Sequence, residues 1–258
     1  MCSGQPASVS GGVIRHAETG SPARAAPSQR RIRALRAGLF VLALVPLARL
    51  FVLGAQDALT ANPVEFVQRS TGTWTLAMLC ITLSVTPLRR LLGWNSLIRL
   101  RRMFGLFAFF YACLHLLTYA WLDQWFDWNA IVDDVLERPF ITVGLTAFLL
   151  MIPLAATSTN AMIRRLGRRW QELHRLVYAI AVLAVLHYWW HKAGKNDFSA
   201  PLAWALVVAG LLALRLAWYW ARPPQPAARA SGVGARHATH DGARLAAPVL
   251  RQAPLERE

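Results

Sequence analysis

Acidic residues are scarce in this chain. Of 258 residues only 13 are Asp or Glu, against 28 Lys and Arg, and charged residues of either sign make up 16%. Soluble domains carry roughly 25% charged residues, so the composition argues against a fold surrounded by water. Cysteine is scarce as well. Cys80 and Cys113 fall inside apolar runs and Cys2 stands alone, which excludes a disulfide framework and a CxxC metal site. There is no GxGxxG or phosphate-cradling glycine loop. Strict apolar–polar alternation over about ten residues is missing too, which excludes a spanning β-barrel. The net charge of +15 would suit a nucleic-acid binder, but such proteins gather Lys and Arg on a solvated face. Here Arg occurs in short clusters between apolar runs, the pattern of a membrane protein, and no nucleic-acid partner is expected.

What the chain has in abundance is apolar length: 55% hydrophobic residues, with eleven Trp and eleven Phe. Six apolar segments stand out, at 38–54, about 73–92, 103–122, 139–156, about 171–190 and about 201–220. Each can approach the roughly 20 residues a helix needs to cross the hydrocarbon core, and in lipid only a helix satisfies the backbone of a lone segment. Pro46 is expected to kink the first. The expected fold is therefore all-α, a polytopic membrane protein of six transmembrane helices over 35–221. Residues 1–34, rich in Ser, Gly, Pro, Ala and Arg, read as a disordered basic arm without the apolar core of a cleaved signal peptide, and 222–258 as a disordered tail.

Charge alternates between the gaps. Arg30, Arg31, Arg33 and Arg36 precede the first segment. Arg89, Arg90, Arg99, Arg101 and Arg102 separate the second from the third, Arg164, Arg165, Arg168 and Arg169 the fourth from the fifth, and Arg222 follows the sixth. The other gaps hold Asp57, Glu65, Asp123, Asp127, Asp133, Asp134 and Glu137, with Lys192 and Lys195 against the pattern. The positive-inside rule then places both termini in the cytoplasm, with six crossings. Trp121, Trp125, Trp128, Trp189 and Trp190 fall where an interfacial aromatic belt is expected.

An ionisable group inside a membrane is a functional candidate by default. His115 lies about 12 residues, or about 18 Å, from the cytoplasmic start of the third segment. His187 lies about 13 residues, or about 20 Å, beyond His174 on the fifth. His115 and His187 thus reach similar depth on two parallel helices, where two imidazoles can clamp a haem iron from both faces. His174 has no matching histidine. Arg101, about four turns before His115, shares that residue's face and stands at the lower level. The spacing of His174 and His187 puts them about 140° apart around an ideal helix. Arg49, in the outer part of the first segment, is a candidate for a haem propionate, with a snorkelling side chain as the equal reading. His191 reads as a solvated interface residue, and His16, His237 and His240 carry no signal.

Several stretches resemble the MsrQ family of the ferric-reductase-like transmembrane superfamily: Arg101-Arg102-Met103-Phe104-Gly105-Leu106 leading to Tyr111-Ala112-Cys113-Leu114-His115-Leu116, Trp170-Gln171-Glu172-Leu173-His174-Arg175-Leu176-Val177-Tyr178 leading to Leu186-His187-Tyr188, and Ser84-Val85-Thr86-Pro87-Leu88-Arg89. The resemblance covers about residues 31–222. It implies a membrane subunit that takes electrons from the quinone pool across the inner membrane to MsrP, a periplasmic molybdopterin enzyme that reduces oxidised methionine in envelope proteins. It implies one or two b-type haems, associated with His115, His174 and His187, and FMN. The superfamily usually has two histidines on each of two helices, and Arg101 stands here in place of the fourth. Superfamily oxidases also carry a cytoplasmic flavin and nicotinamide module, which the segment after Arg222 is too short to fold.

The expectation is thus a haem-binding bundle that acts as the electron-transfer subunit of an oxidoreductase rather than as its catalytic subunit. Alternatives are a ferric-reductase or oxidase-type cytochrome fed by a separate flavoprotein, a haem-free transporter, and a haem-free anchor. The segment 123–137 reads either as a docking loop or as a solvated one.

Overall fold

The computed structural model of the chain describes residues 29–94, 97–194 and 196–221. The arm before residue 29, the tail from Arg222, Lys195, Cys2, and His16, His237 and His240 lie outside the described residues. Among the described residues the architecture is all-α. In chain order the elements are α1 (Gln29–Ala55), α2 (Pro63–Leu92), α3 (Ile98–Leu117), a π-helical turn (Thr118–Asp123), α4 (Trp128–Glu137), α5 (Pro139–Ala156), α6 (Asn160–Leu166), α7 (Arg168–Leu173), α8 (Leu176–Ala193) and α9 (Ser199–Trp220).

Six stretches are long and apolar enough to cross a membrane: Arg33–Ala55, Pro63–Leu92, Ile98–Asp123, Pro139–Ala156, Arg168–Ala193 and Ser199–Trp220. The fourth has the bounds expected from sequence, and the others differ for local reasons. Helix α1 starts at Gln29, within the stretch expected to be irregular, because Arg and Ala are good helix formers whatever their charge. It runs through Pro46 as one helix. Helix α2 starts at Pro63 rather than near Thr73. The Asn62 side chain accepts a hydrogen bond from the Glu65 amide at 3.1 Å, and Pro63 occupies the first turn, where its missing N–H costs nothing. The fifth span is interrupted at His174–Arg175, which separates α7 from α8.

Helix α4 was not foreseen in sequence. Asp127 caps it, accepting from the Asn129 and Ala130 amides at 3.0 and 3.2 Å. The π-helical turn leads towards it from α3, and Trp125 and Phe126 between them adopt positive φ.

By internal contacts the chain divides into Met1–Leu214 and Arg215–Glu258. In the second unit the described residues are the end of α9, where Leu216, Tyr219 and Trp220 are exposed. In the first, α2 packs along α3 and α5 along α8, and the two pairs meet through α3·α5 and α2·α8. Helices α2 and α3 are central: 44% and 39% of their most apolar windows are buried, against 11–17% for the other spans. Leu83, Tyr111, Ile180 and Ala181 are fully enclosed. The Tyr111 hydroxyl donates to the Ala43 carbonyl at 2.7 Å and ties α3 to α1. The peripheral helices leave Phe40, Val41, Phe51, Leu149 and Val182 exposed. So much apolar surface is untenable in water and is what a helix turns towards lipid.

Candidate functional site

His115, near the end of α3, and His187, in the middle of α8, come together. Their ring centroids lie 6.1 Å apart with the planes at 81°. His115 Nδ1 is 3.0 Å from the Gln68 carbonyl of α2, and His187 Nδ1 is 2.7 Å from the Phe140 carbonyl of α5. A carbonyl only accepts, so Nδ1 carries the proton in each ring. The Nε2 lone pair is left free, which is the form that binds a metal.

The separation itself is informative. An imidazole nitrogen sits about 2 Å from a bound first-row metal and its ring centroid about 1 Å further back, so two imidazoles clamping one ion have centroids about 6 Å apart. Two rings supply only two ligands. No group of three or more His, Cys, Asp or Glu side chains suited to a metal ion occurs among the described residues. A porphyrin, which brings four ligands of its own, would leave two positions for such a pair.

The pair opens on a cavity of about 500 Å³, within the range of about 300–1,000 Å³ for small-molecule sites. Leu76, Leu79, Phe148, Met151 and Ile180 give it an apolar wall, and Gln68, Arg69, Tyr119, Asp123, Arg138 and His191 supply its polar groups. Gln68 Oε1 is buried there without a hydrogen-bond partner. An unpaired buried amide costs about 1–3 kcal/mol, and a polar group entering the cavity relieves it. Arg138 is held by Asp134, Nε to Oδ1 at 3.1 Å. Asp134 Oδ2 accepts from the Tyr119 hydroxyl and from Gln124 Nε2, both at 2.9 Å. The Thr142 hydroxyl donates to the Val135 carbonyl and fastens α4 to α5. Ile131 and Val135 of α4 line the cavity, while Trp128, Val132 and Leu136 are exposed at one-turn intervals.

His174 stands apart from this cavity. Its Nδ1 is 3.0 Å from the Trp170 carbonyl one turn back, and its ring stacks on Trp170 at 3.9 Å. Arg101 is half-buried in the first turn of α3. Arg49 is exposed and lines a neighbouring recess of about 470 Å³ with Thr60, Ser70 and Trp74. That recess meets the main cavity at Asn62, Glu65, Arg69 and Thr73.

Arg69, Arg138, Gln68, Gly72 and Gly144 were not singled out from sequence, although all five line the cavity. Two of them left a trace. Arg69 and Arg138, like Lys192, are cations in the gaps that are otherwise poor in them.

Residues 71–185 match the ferric reductase like transmembrane component family. A relative from Ralstonia nicotianae, named protein-methionine-sulfoxide reductase heme-binding subunit MsrQ, is 62% identical over 192 residues, 74% of this chain and 88% of the relative. Proteins of the same name from Herminiimonas arsenicoxydans and Bordetella pertussis are each 58% identical, over 195 and 199 residues. These alignments cover 75% and 77% of this chain and 89% and 97% of the relatives.

The chain belongs to the MsrQ family. It is accordingly a multi-pass membrane protein, as its six apolar helices indicate. The part matched to the ferric-reductase-like component runs from Thr71, beside the His115 ring, through α8 to two residues short of His187. It thus takes in most of the cavity of this MsrQ-family chain.

Proposed function

We propose that this MsrQ-family protein binds a b-type haem between His115 and His187. In this reading it passes electrons from membrane quinol to a methionine sulfoxide reductase partner on the periplasmic face of the inner membrane. The observation that carries the reading is the facing imidazole pair, with both Nδ1 atoms bonded to carbonyls and the centroids 6.1 Å apart across an apolar cavity. The relatives' name, heme-binding subunit of a methionine sulfoxide reductase, supports it. Such a haem supplies one-electron chemistry. The chain's part is to ligate it through Nε2 of both histidines, to exclude water with Leu76, Phe148 and Ile180, and to set the guanidiniums of Arg69 and Arg138 towards its carboxylates. The arginine-rich end of the bundle is the cytoplasmic one, with both termini there, and the end bearing the histidine pair faces the partner.

His174 and Arg101 form the second level of this reading, where an inner haem would have a histidine on one side only. FMN belongs to it through the family resemblance alone. The protein serves as the electron-transfer subunit and leaves methionine sulfoxide chemistry to the partner. The test is a visible spectrum of the detergent-purified protein, followed by reduction with a quinol. A Soret band that quinol reduces is expected, and His115→Ala is expected to abolish most of the bound haem. An unchanged haem content in that variant overturns the assignment.

A further inference from the structure

In an α-helix the carbonyl of residue i is bonded to the N–H of residue i+4, and the i+4 side chain stands over the same face. The carbonyl keeps a second lone pair. A donor from a neighbouring helix that comes in over residue i+4 must enter the space where that residue's Cβ would stand. Both histidines of the cavity make this approach. His115 bonds the Gln68 carbonyl, and residue i+4 is Gly72. His187 bonds the Phe140 carbonyl, and residue i+4 is Gly144. A Cβ at position 72 would lie 3.0 Å from His115 Cε1 and 3.1 Å from its Nδ1. A Cβ at position 144 would lie 2.6 Å from His187 Nδ1 and 2.8 Å from its Cε1. The first is tighter than ordinary side-chain contacts, and the second is a collision with the atom that donates the hydrogen bond. By contrast Gly105, also within a span, would place its Cβ 3.7 Å from the Thr82 methyl, an ordinary contact.

We propose that Gly72 and Gly144 are positioning residues, each opening a slot in which an imidazole lies against a neighbouring helix, donates Nδ1–H to the carbonyl one turn before, and turns Nε2 into the cavity. The same device occurs once in each helix pair, α2 with α3 and α5 with α8. The proposal rests on the haem reading above and adds what holds the ligands in place. Neither glycine acts through backbone freedom, since both sit inside regular helices. Each acts by the absence of a side chain.

The test compares wild type, Gly144→Ala, Gly72→Ala and Gly105→Ala, purified in detergent and checked for helicity and homogeneity. Haem content, the oxidised and reduced spectra and the midpoint potential are the readouts. Wild type and Gly105→Ala should agree. Gly144→Ala should lose most of its haem or hold it in a high-spin state with a shifted potential, and Gly72→Ala should move in the same sense by less. A second measurement keeps the slot separate from folding. His187→Ala reconstituted with haem should recover a low-spin spectrum on addition of free imidazole. His187→Ala combined with Gly144→Ala should need at least tenfold more imidazole. Equal imidazole requirements, or wild-type spectra and potentials in both alanine variants, overturn the proposal while leaving the haem reading intact. A wild-type protein without a Soret band overturns the haem reading and the proposal with it.

Discussion

The two ends of the bundle treat histidine differently. At one end His115 and His187 satisfy Nδ1 through carbonyls of neighbouring helices and face each other across a cavity. At the other, His174 turns Nδ1 back to its own segment and stacks on Trp170. What separates the two cases is the geometry around the ring: His115 and His187 bond carbonyls of neighbouring helices and come within 6.1 Å of each other beside the cavity, whereas His174 bonds the carbonyl one turn back and lies flat on Trp170, away from that cavity. Charge follows the same division. Arginines are exposed at both ends, Arg99, Arg102, Arg164 and Arg165 at the His174 end and Arg69 and Arg138 at the other, but only the last two line the cavity, and Arg138 is tied there to Asp134.

The comparison breaks most readily at the histidines. His187→Ala should empty the cavity of haem, while His174→Ala should leave the spectrum of the His115–His187 site unchanged. If His174→Ala costs as much haem at that site as His187→Ala, the two ends are not distinct. A smaller effect belongs to the cations. Arg138→Met should weaken haem binding about tenfold, the lower end of what loss of a supporting contact costs at a metal site, and should shift the midpoint potential. Arg49→Met, in the adjoining recess, should do less by both measures. Equal effects would place Arg49 in the same site and support the propionate role expected for it.

Much of this was legible in sequence because two simple rules carry it. Apolar length marks the spans, since lipid demands an unbroken helix. The fixed rise per residue places His115 and His187 at one level without any knowledge of packing. What sequence did not reveal depends on groups that every residue shares. The Gln68 and Phe140 carbonyls are backbone atoms, and Gly72 and Gly144 matter for a missing atom, so none carries a compositional signal. The start of α2 was placed too late because Glu65, Gln68 and Arg69 look too polar for a span. They are tolerated because they line a cavity rather than face lipid. Arg69 and Arg138 were overlooked although they break the charge alternation, and an arginine at the wrong end of a helix is the signal to follow.

The smallest expected difference lies in the anchors that fasten each end. At the histidine-pair end Lys192 Nζ bonds Asp197 Oδ2 at 3.0 Å, with the lysine side chain only 6% exposed. At the other, exposed Arg102 bonds Asn160 Oδ1 at 2.5 Å. Removing Asn160 returns Arg102 to solvent at little cost. Removing the charge of Asp197 leaves an enclosed ammonium with a weaker partner, which is the more expensive change. The Lys192 hydrogen bond holds the Asp197 carboxyl below its ordinary range, helped by Ser199. A lowered folded pKa gives stability that is present above the ordinary carboxylate range and lost as pH falls through the lowered value. Asp197→Asn should therefore lower the melting temperature of the detergent-solubilised protein at neutral pH more than Asn160→Ala does. The gap between Asp197→Asn and wild type should close under acid conditions, while the effect of Asn160→Ala should not change with pH. A gap for Asp197→Asn that persists in acid would mean that the pair is not held together by the carboxylate's charge.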